Sequence, residues 1–253
     1  MPQMRPNKVK QKLQNGELAL VTGGLNHADD IEQFGPAGFD GVWLEGEHGP
    51  VDFADVSDLT RACDLWGLTS IVRINQNDQG WIYRTLDRGA QGIVVPHVNT
   101  REEADNVVAG GKFAPLGKRG MWTSRQGIGV ADYFNAANDH TLLIVLIEDI
   151  VGVRNLDDIL KVDNIDVFFV APSDLATSMG HIGNAGHPDV QRTIDGALAK
   201  IQQAGRTAGA LATNENVDKY VAAGVKFFLT NTGPWLMAGA NDFKARAEKA
   251  RKG

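Results

Sequence analysis

Six apolar residues in succession, LLIVLI at 142–147, run directly into a carboxylate, Glu148, and a second run, IDVFFVAPSD, closes on another, Asp174. Neither run alternates apolar with polar positions. Such segments read as strands covered on both faces, the mark of a parallel sheet with helices packed over it. Two acids at the exits of two such strands repel each other and lose hydration unless a positive charge lies between them. A hard divalent cation, which takes oxygen ligands, meets that need.

Six further runs share the character of the first two, giving eight expected strands at 18–24, 39–45, 69–74, 92–97, 142–148, 165–171, 207–212 and 225–230. Helical patterns such as VSDLTRACDLW and VQRTIDGALAKIQQAG lie between them. Eight alternations of strand and helix predict parallel pairing with right-handed crossovers. The simplest closed form is a (β/α)8 TIM barrel, and 253 residues suit one such domain spanning 1–253. Gly67, Gly89, Gly205 and Gly224 each stand after a helical run and before a strand, where a C-terminal cap calls for positive φ. The link from about 112 to 141 breaks the rhythm, being long, polar and rich in glycine, and the segment from Pro234 onward reads as a terminal helix.

Several function classes are disfavoured. A net charge of −6 lacks the clustered cationic surface that nucleic acid requires. The N-terminal segment has no apolar core of a signal peptide, and no apolar stretch approaches the roughly 18 residues of a membrane span. The expectation is a soluble, cytoplasmic protein. The single cysteine, Cys63, sits in an apolar helical pattern and reads as core. GIGVAD at 127–132 lacks the glycine pattern of a phosphate loop, and Lys226 lies at the wrong end of its strand for a Schiff base.

In βα barrels chemistry collects at the C-terminal ends of the strands. There the second strand delivers Glu45, Glu47 and His48, the third Arg73, and the fifth and sixth Glu148 and Asp174. Together they read as parts for chemistry on a small 2-oxo acid. Glu148 and Asp174 would hold Mg²⁺ or Mn²⁺, with Co²⁺ as a further candidate. Arg73 would clamp a carboxylate, and His48 would move a proton. Plainer roles fit some of these residues equally: Asp174 as the N-cap of the next helix, Arg73 as an ion-pair partner of Glu45 or Glu47. His97, His140, His181 and His187 have no evident partner set and read as surface or loop residues.

The segments LEGEHGP, IVRIN, LDRGAQGIVVPHVNT, FAPLGKRG, LIED and FVAPSDLATSMG occur in that order. In these motifs, over roughly residues 5 to 250, the chain resembles the HpcH/HpaI family of class II pyruvate-type aldolases. The resemblance implies cleavage of a 4-hydroxy-2-oxo acid to pyruvate and an aldehyde, a carbon–carbon lyase reaction. Rival readings are a decarboxylase or lyase acting on an oxaloacetate-like acid and a non-catalytic barrel that binds 2-oxo acids. By the same resemblance Glu148 and Asp174 are metal ligands, and Arg73 with the backbone of Ala171, Pro172 and Ser173 contacts the pyruvyl carboxylate. His48 is the base and Asp87 its carboxylate partner. The family also implies a homohexamer that exchanges its last helix between subunits. Two positions depart from the family pattern: Leu146 stands where many members have Gln, and Glu45 where heptanedioate enzymes have Asp. Trp122, Arg125 and Gln126 in the long link are candidates to face the distal end of the substrate or a neighbouring subunit.

Overall fold

The computed structural model describes residues 3–252. Each apolar run forms a strand: β1 Ala19–Gly23, β2 Gly41–Glu45, β3 Thr69–Arg73, β4 Gly92–Val95, β5 Leu142–Ile147, β6 Val167–Val170, β7 Ala208–Leu211 and β8 Phe227–Asn231. They pair in chain order, all parallel, and β8 returns to β1 to close a barrel. The missing polar alternation now has its cause: successive side chains face two apolar layers. Val21, Trp43, Ile71, Ile144, Leu146 and Phe169 fill the barrel. Val42, Leu44, Val72, Val145 and Phe168 lie under the helices.

The helices preceding the long link are α1 Lys8–Gln14, α2 Ala28–Phe34, α3 Val56–Leu65, α4 Gln79–Asp87 and α5 Arg101–Gly111. The link carries a short 3-10 turn at Arg125–Gly127 and α6 Tyr133–His140. Then follow α7 Ile150–Arg154, α8 Leu156–Ile159, α9 Pro172–Ser178, α10 Pro188–Gln203, α11 Val217–Ala222 and α12 Thr232–Lys252. The four expected glycine caps hold: φ is 62°, 112°, 71° and 84° at Gly67, Gly89, Gly205 and Gly224. No helix among the described residues is long and apolar enough to cross a membrane.

α1 seals the N-terminal pole. Its Val9 is buried among the barrel-filling residues, and the Val9 N–H donates to Thr69 Oγ1 at 3.1 Å. Lys8 and Lys12 grip the buried Asp40 at 3.0 and 2.9 Å. Burial alone would raise the Asp40 carboxyl, but the Leu20 N–H and the two ammonium groups outweigh it and hold it below the usual range. With that pole closed, only the opposite end is open to a ligand.

The 3-10 turn of the long link is anchored away from that opening. Arg125 pairs with Asp64 at 2.6 Å and donates to Thr60 Oγ1, while Gln126 donates to Asp64 and to the Gly89 carbonyl. Within the chain these two side chains pin the link to α3 and the α4–β4 turn, and neither lines the cavity at the open end. Trp122 is exposed. At the C-terminus, Trp235 stacks on Phe34 with centroids 6.4 Å apart, and from Leu236 to Arg251 every side chain of α12 is exposed.

Candidate active site

A cavity of about 470 Å³ opens at the C-terminal ends of the strands. Its floor is apolar, formed by Trp43, Leu146 and Phe169, and its wall carries Glu45, Arg73, His48 and Asp174. Ala171, Pro172 and Ser173 border it as well. Asp174 is not the N-cap of α9: Ala171 holds that position and Asp174 is the third helical residue. The first-turn N–H groups of α9, at Ser173 and Asp174, have no intrahelical acceptor.

Glu45 and Arg73 lie side by side in the β2–β3 register, so strand pairing sets their contact. Arg73 Nε donates to both Glu45 oxygens at 2.9 and 2.8 Å, and Nη2 lies 2.7 Å from Glu45 Oε2. The same carboxylate accepts the Glu47 and His48 N–H groups and Trp43 Nε1 at 2.9, 3.1 and 3.1 Å. Burial would lift the Glu45 pKa; Arg73 and the two loop N–H groups outweigh it and hold the carboxyl below its ordinary range. Arg73 Nη1 also lies 2.9 Å from Glu47 Oε2, an ion pair without hydrogen-bond alignment. The structural pairing that the sequence offered for Arg73 is thus made to both acids at once. Gly46 lets the turn run this close: a Cβ there would stand 2.7 Å from the Arg73 carbonyl oxygen.

Across the mouth, Glu148 follows the last residue of β5 and is 2% exposed. Its Oε1 accepts the His97 N–H at 2.8 Å, whereas Oε2 is buried with no hydrogen-bond partner. Burial pushes the Glu148 carboxyl upward, His97 opposes the rise, and the charges of Glu47 and Asp174 add to it. A buried acceptor without a donor, in the field of two further carboxylates, is an oxygen-rich set that fits a hard divalent cation. Glu148 and Asp174 are the residues that would hold it.

His97 lies exposed in the loop after β4, as the sequence reading has it, but it does have partners. Its ring stands between two acids, with Nε2 3.6 Å from Glu47 Oε1 and Nδ1 3.5 Å from Glu148 Oε1. Its φ is +53°, a conformation that a non-glycine residue adopts when its surroundings hold it there. The turn this creates aims the His97 N–H at Glu148. His48 is likewise solvent-facing, with Nε2 3.8 Å from Glu47 Oε2. Asp87 ends α4, toward the sealed pole, and pairs with Arg119 at 2.7 Å. Among the described residues His48 and Asp87 share no hydrogen bond or ion pair. Cys63 is buried, and burial pushes its thiol far above the range where a thiolate forms.

Known proteins resemble this chain over most of its length. The family model described as HpcH/HpaI aldolase/citrate lyase matches residues 22–232. A hydroxypyruvate/pyruvate aldolase of Pseudomonas aeruginosa is 35% identical over 232 residues, covering 87% of this chain and 85% of its own. A 5-keto-4-deoxy-D-glucarate aldolase of Escherichia coli O157:H7 is 37% identical over 227 residues, covering 88% and 89%. Among solved structures, an HpcH/HpaI aldolase/citrate lyase family protein from Burkholderia cenocepacia J2315 superposes with a TM-score of 0.89 at 29% identity, covering 96% of this chain and 99% of that one. The barrel, its acidic mouth and these likenesses agree: the chain belongs to the HpcH/HpaI aldolase/citrate lyase family and is a carbon–carbon lyase of the aldolase type.

Proposed function

We propose that this enzyme cleaves and forms 4-hydroxy-2-oxo acids, with pyruvate and an aldehyde as the other side of the reaction, and depends on a divalent cation. The observation that carries this reading is the buried, partnerless Oε2 of Glu148 beside the charge of Asp174, on the same mouth as a guanidinium. Glu148 and Asp174 would hold Mg²⁺ or Mn²⁺, which would supply positive charge to offset the negative charge that develops on the 2-oxo group as the C3–C4 bond breaks. Arg73 keeps N–H donors beyond those spent on Glu45, and these meet the substrate carboxylate together with the first-turn N–H groups at Ser173 and Asp174. His48, placed by the Glu45-bound turn, accepts the C4 hydroxyl proton through water; the electron pair of the broken bond remains on the pyruvyl fragment. The apolar floor at Leu146 and Phe169 keeps bulk water from C3.

Asp87 cannot assist the His48 of its own chain, because α4 carries it toward the other pole. The role that the resemblance gives Asp87 requires a second copy of the chain to supply it. The same oligomer, a hexamer by resemblance, gives the uncovered α12 its partner.

Deuterium exchange at the pyruvate methyl group, with and without chelator, tests the centre, and product analysis on a panel of 4-hydroxy-2-oxo acids tests the reaction. Exchange that vanishes with chelator, and an aldehyde released with pyruvate, are expected. Carbon dioxide without aldehyde assigns the decarboxylase reading instead; binding without either reaction leaves a non-catalytic barrel. His48→Ala is expected to slow turnover about 10²- to 10⁴-fold while Mn²⁺ affinity is kept; unchanged turnover removes His48 from the mechanism.

A further inference from the structure

We infer that Asn231, with Asn26, selects the aldehyde half of the substrate, and that this aldehyde is uncharged and bears a hydroxyl on the carbon next to its carbonyl; this rests on the aldol reading above. In that reading Arg73 on β3 and the first turn of α9 meet the carboxylate, and Glu148 and Asp174 stand beyond β5 and β6. His48, in the turn after β2, takes the C4 proton. The arc that remains runs from β7 through β8 to β1, and it borders the cavity with Leu211, Leu229, Asn231, Gly23 and Asn26. Because β1 lies beside β2, the first carbon beyond C4 falls within reach of this arc.

The ionisable side chains that line the cavity are Glu45, His48, Arg73 and Asp174, all at the exits of β2, β3 and β6. Among the described residues the β7–β8–β1 arc contributes none. A carboxylate on the aldehyde would find no cation there, and it would enter a mouth that already holds Glu47, Glu148 and Asp174.

Asn231 is fitted into the arc. It ends β8 and lies opposite Gly23 of β1 in the parallel register. A Cβ at Gly23 would stand 2.6 Å from Asn231 Oδ1. Gly23 is not among the glycines of positive φ, so its backbone does not demand glycine; the missing side chain is what admits the carboxamide. Thr232 Oγ1 donates to the Gly24 carbonyl at 3.3 Å and ties the two strand exits together.

Capping does not account for Asn231. It stands just before α12, yet its side chain accepts no first-turn N–H, and Pro234, the third helical residue, has none to give. Asn231 is exposed and Asn26 half-buried, and neither carboxamide has a hydrogen-bond partner among the described residues. Each offers N–H donors and a carbonyl acceptor, the complement of a hydroxyl, which both donates and accepts. An alkyl group in the same place leaves both carboxamides unpaired, and such a site discriminates against it.

The test is Mn²⁺-dependent addition of pyruvate to three aldehydes of similar size: glycolaldehyde, propanal and glyoxylate, which carry a hydroxyl, a methyl and a carboxylate. The wild type is expected to favour glycolaldehyde over both others in kcat/KM. Asn231→Leu and the smaller Asn231→Ala are expected to lower the glycolaldehyde-to-propanal ratio about five- to tenfold. General damage to the barrel would slow all three aldehydes together and leave that ratio unmoved. Thermal melting confirms that each variant is folded. An unchanged ratio in either folded variant overturns the assignment, as does a wild type that favours glyoxylate or propanal. Deuterium exchange at the pyruvate methyl group involves no aldehyde and is read on the wild type. Exchange without the expected preference strikes the role of Asn231 alone; no exchange strikes the aldol reading beneath it.

Discussion

Replacing Glu148 with Gln keeps an acceptor for the His97 N–H and removes a charge that burial, Glu47 and Asp174 all oppose. Without added cation this variant is expected to melt higher than the wild type, by about 2–4 °C if 1 kcal/mol is relieved. In saturating Mn²⁺ its pyruvate exchange is expected to fall by about 10²-fold or more. Differential scanning calorimetry and exchange rates check the two halves; a lower melting point in cation-free buffer would show that the charge is not a burden. At this scale the sequence is legible where chemistry obeys topology. Glu148, Arg73 and Asp174 stand at strand exits or in the first helical turn beyond, and a barrel places those positions on one rim. His97 was not legible, because a left-handed φ at a histidine leaves no trace in the neighbouring residue types. The pairing of Glu45 with Arg73 was legible, but its grip on Trp43 and two loop N–H groups is a matter of side-chain reach, which spacing does not encode.

Among the elements, α1 and the end of α5 show what polar sequence conceals. KVKQKLQ is mostly polar, yet Val9 enters the barrel, and Lys10 Nζ lies 2.8 Å from both Asp166 and the Thr141 carbonyl. Lys112, just past α5, is 2% exposed and donates to the Asn138 and Thr141 carbonyls at 2.6 and 2.8 Å. Burial, then the nearby Lys10 charge, lowers its pKa to about 7. A neutral amine has two N–H donors for those two carbonyls. The unfolded chain keeps Lys112 protonated to about pH 10 while the folded chain releases the proton near 7, so the unfolded state binds more protons in that window. Stability contributed by this site therefore rises with pH from about 7 toward 10, approaching about 1.4 kcal/mol per unit. Urea unfolding between pH 7 and 9 is expected to show a shallower rise in Lys112→Met than in the wild type; parallel slopes would refute the assignment. The strands themselves were fully legible, since doubly covered apolar runs and positive-φ glycine caps are local signals.

For the whole molecule, the closed barrel leaves its last helix without cover. Leu236, Met237 and Phe243 on α12 are 71%, 61% and 74% exposed. Removing the chain after Trp235 is expected to lower the molar mass seen by light scattering at least to that of a smaller oligomer, with the barrel's circular dichroism retained. A truncated protein of undiminished assembly size would locate the subunit contacts elsewhere. Sequence pattern announced this helix, while the expectation that it leaves its own barrel came from the family resemblance and not from the pattern.

The saturated carboxylate of Glu45 divides the rim into two unequal halves. On the side of β2 and β3, Trp43, Glu45, Arg73 and the turn bearing His48 are wired together, so altering one member displaces the rest. On the side of β7, β8 and β1, Leu211, Asn231 and Asn26 border the same cavity without sharing that network. A library built to retune which aldehyde the protein accepts has room to vary there, and little room opposite.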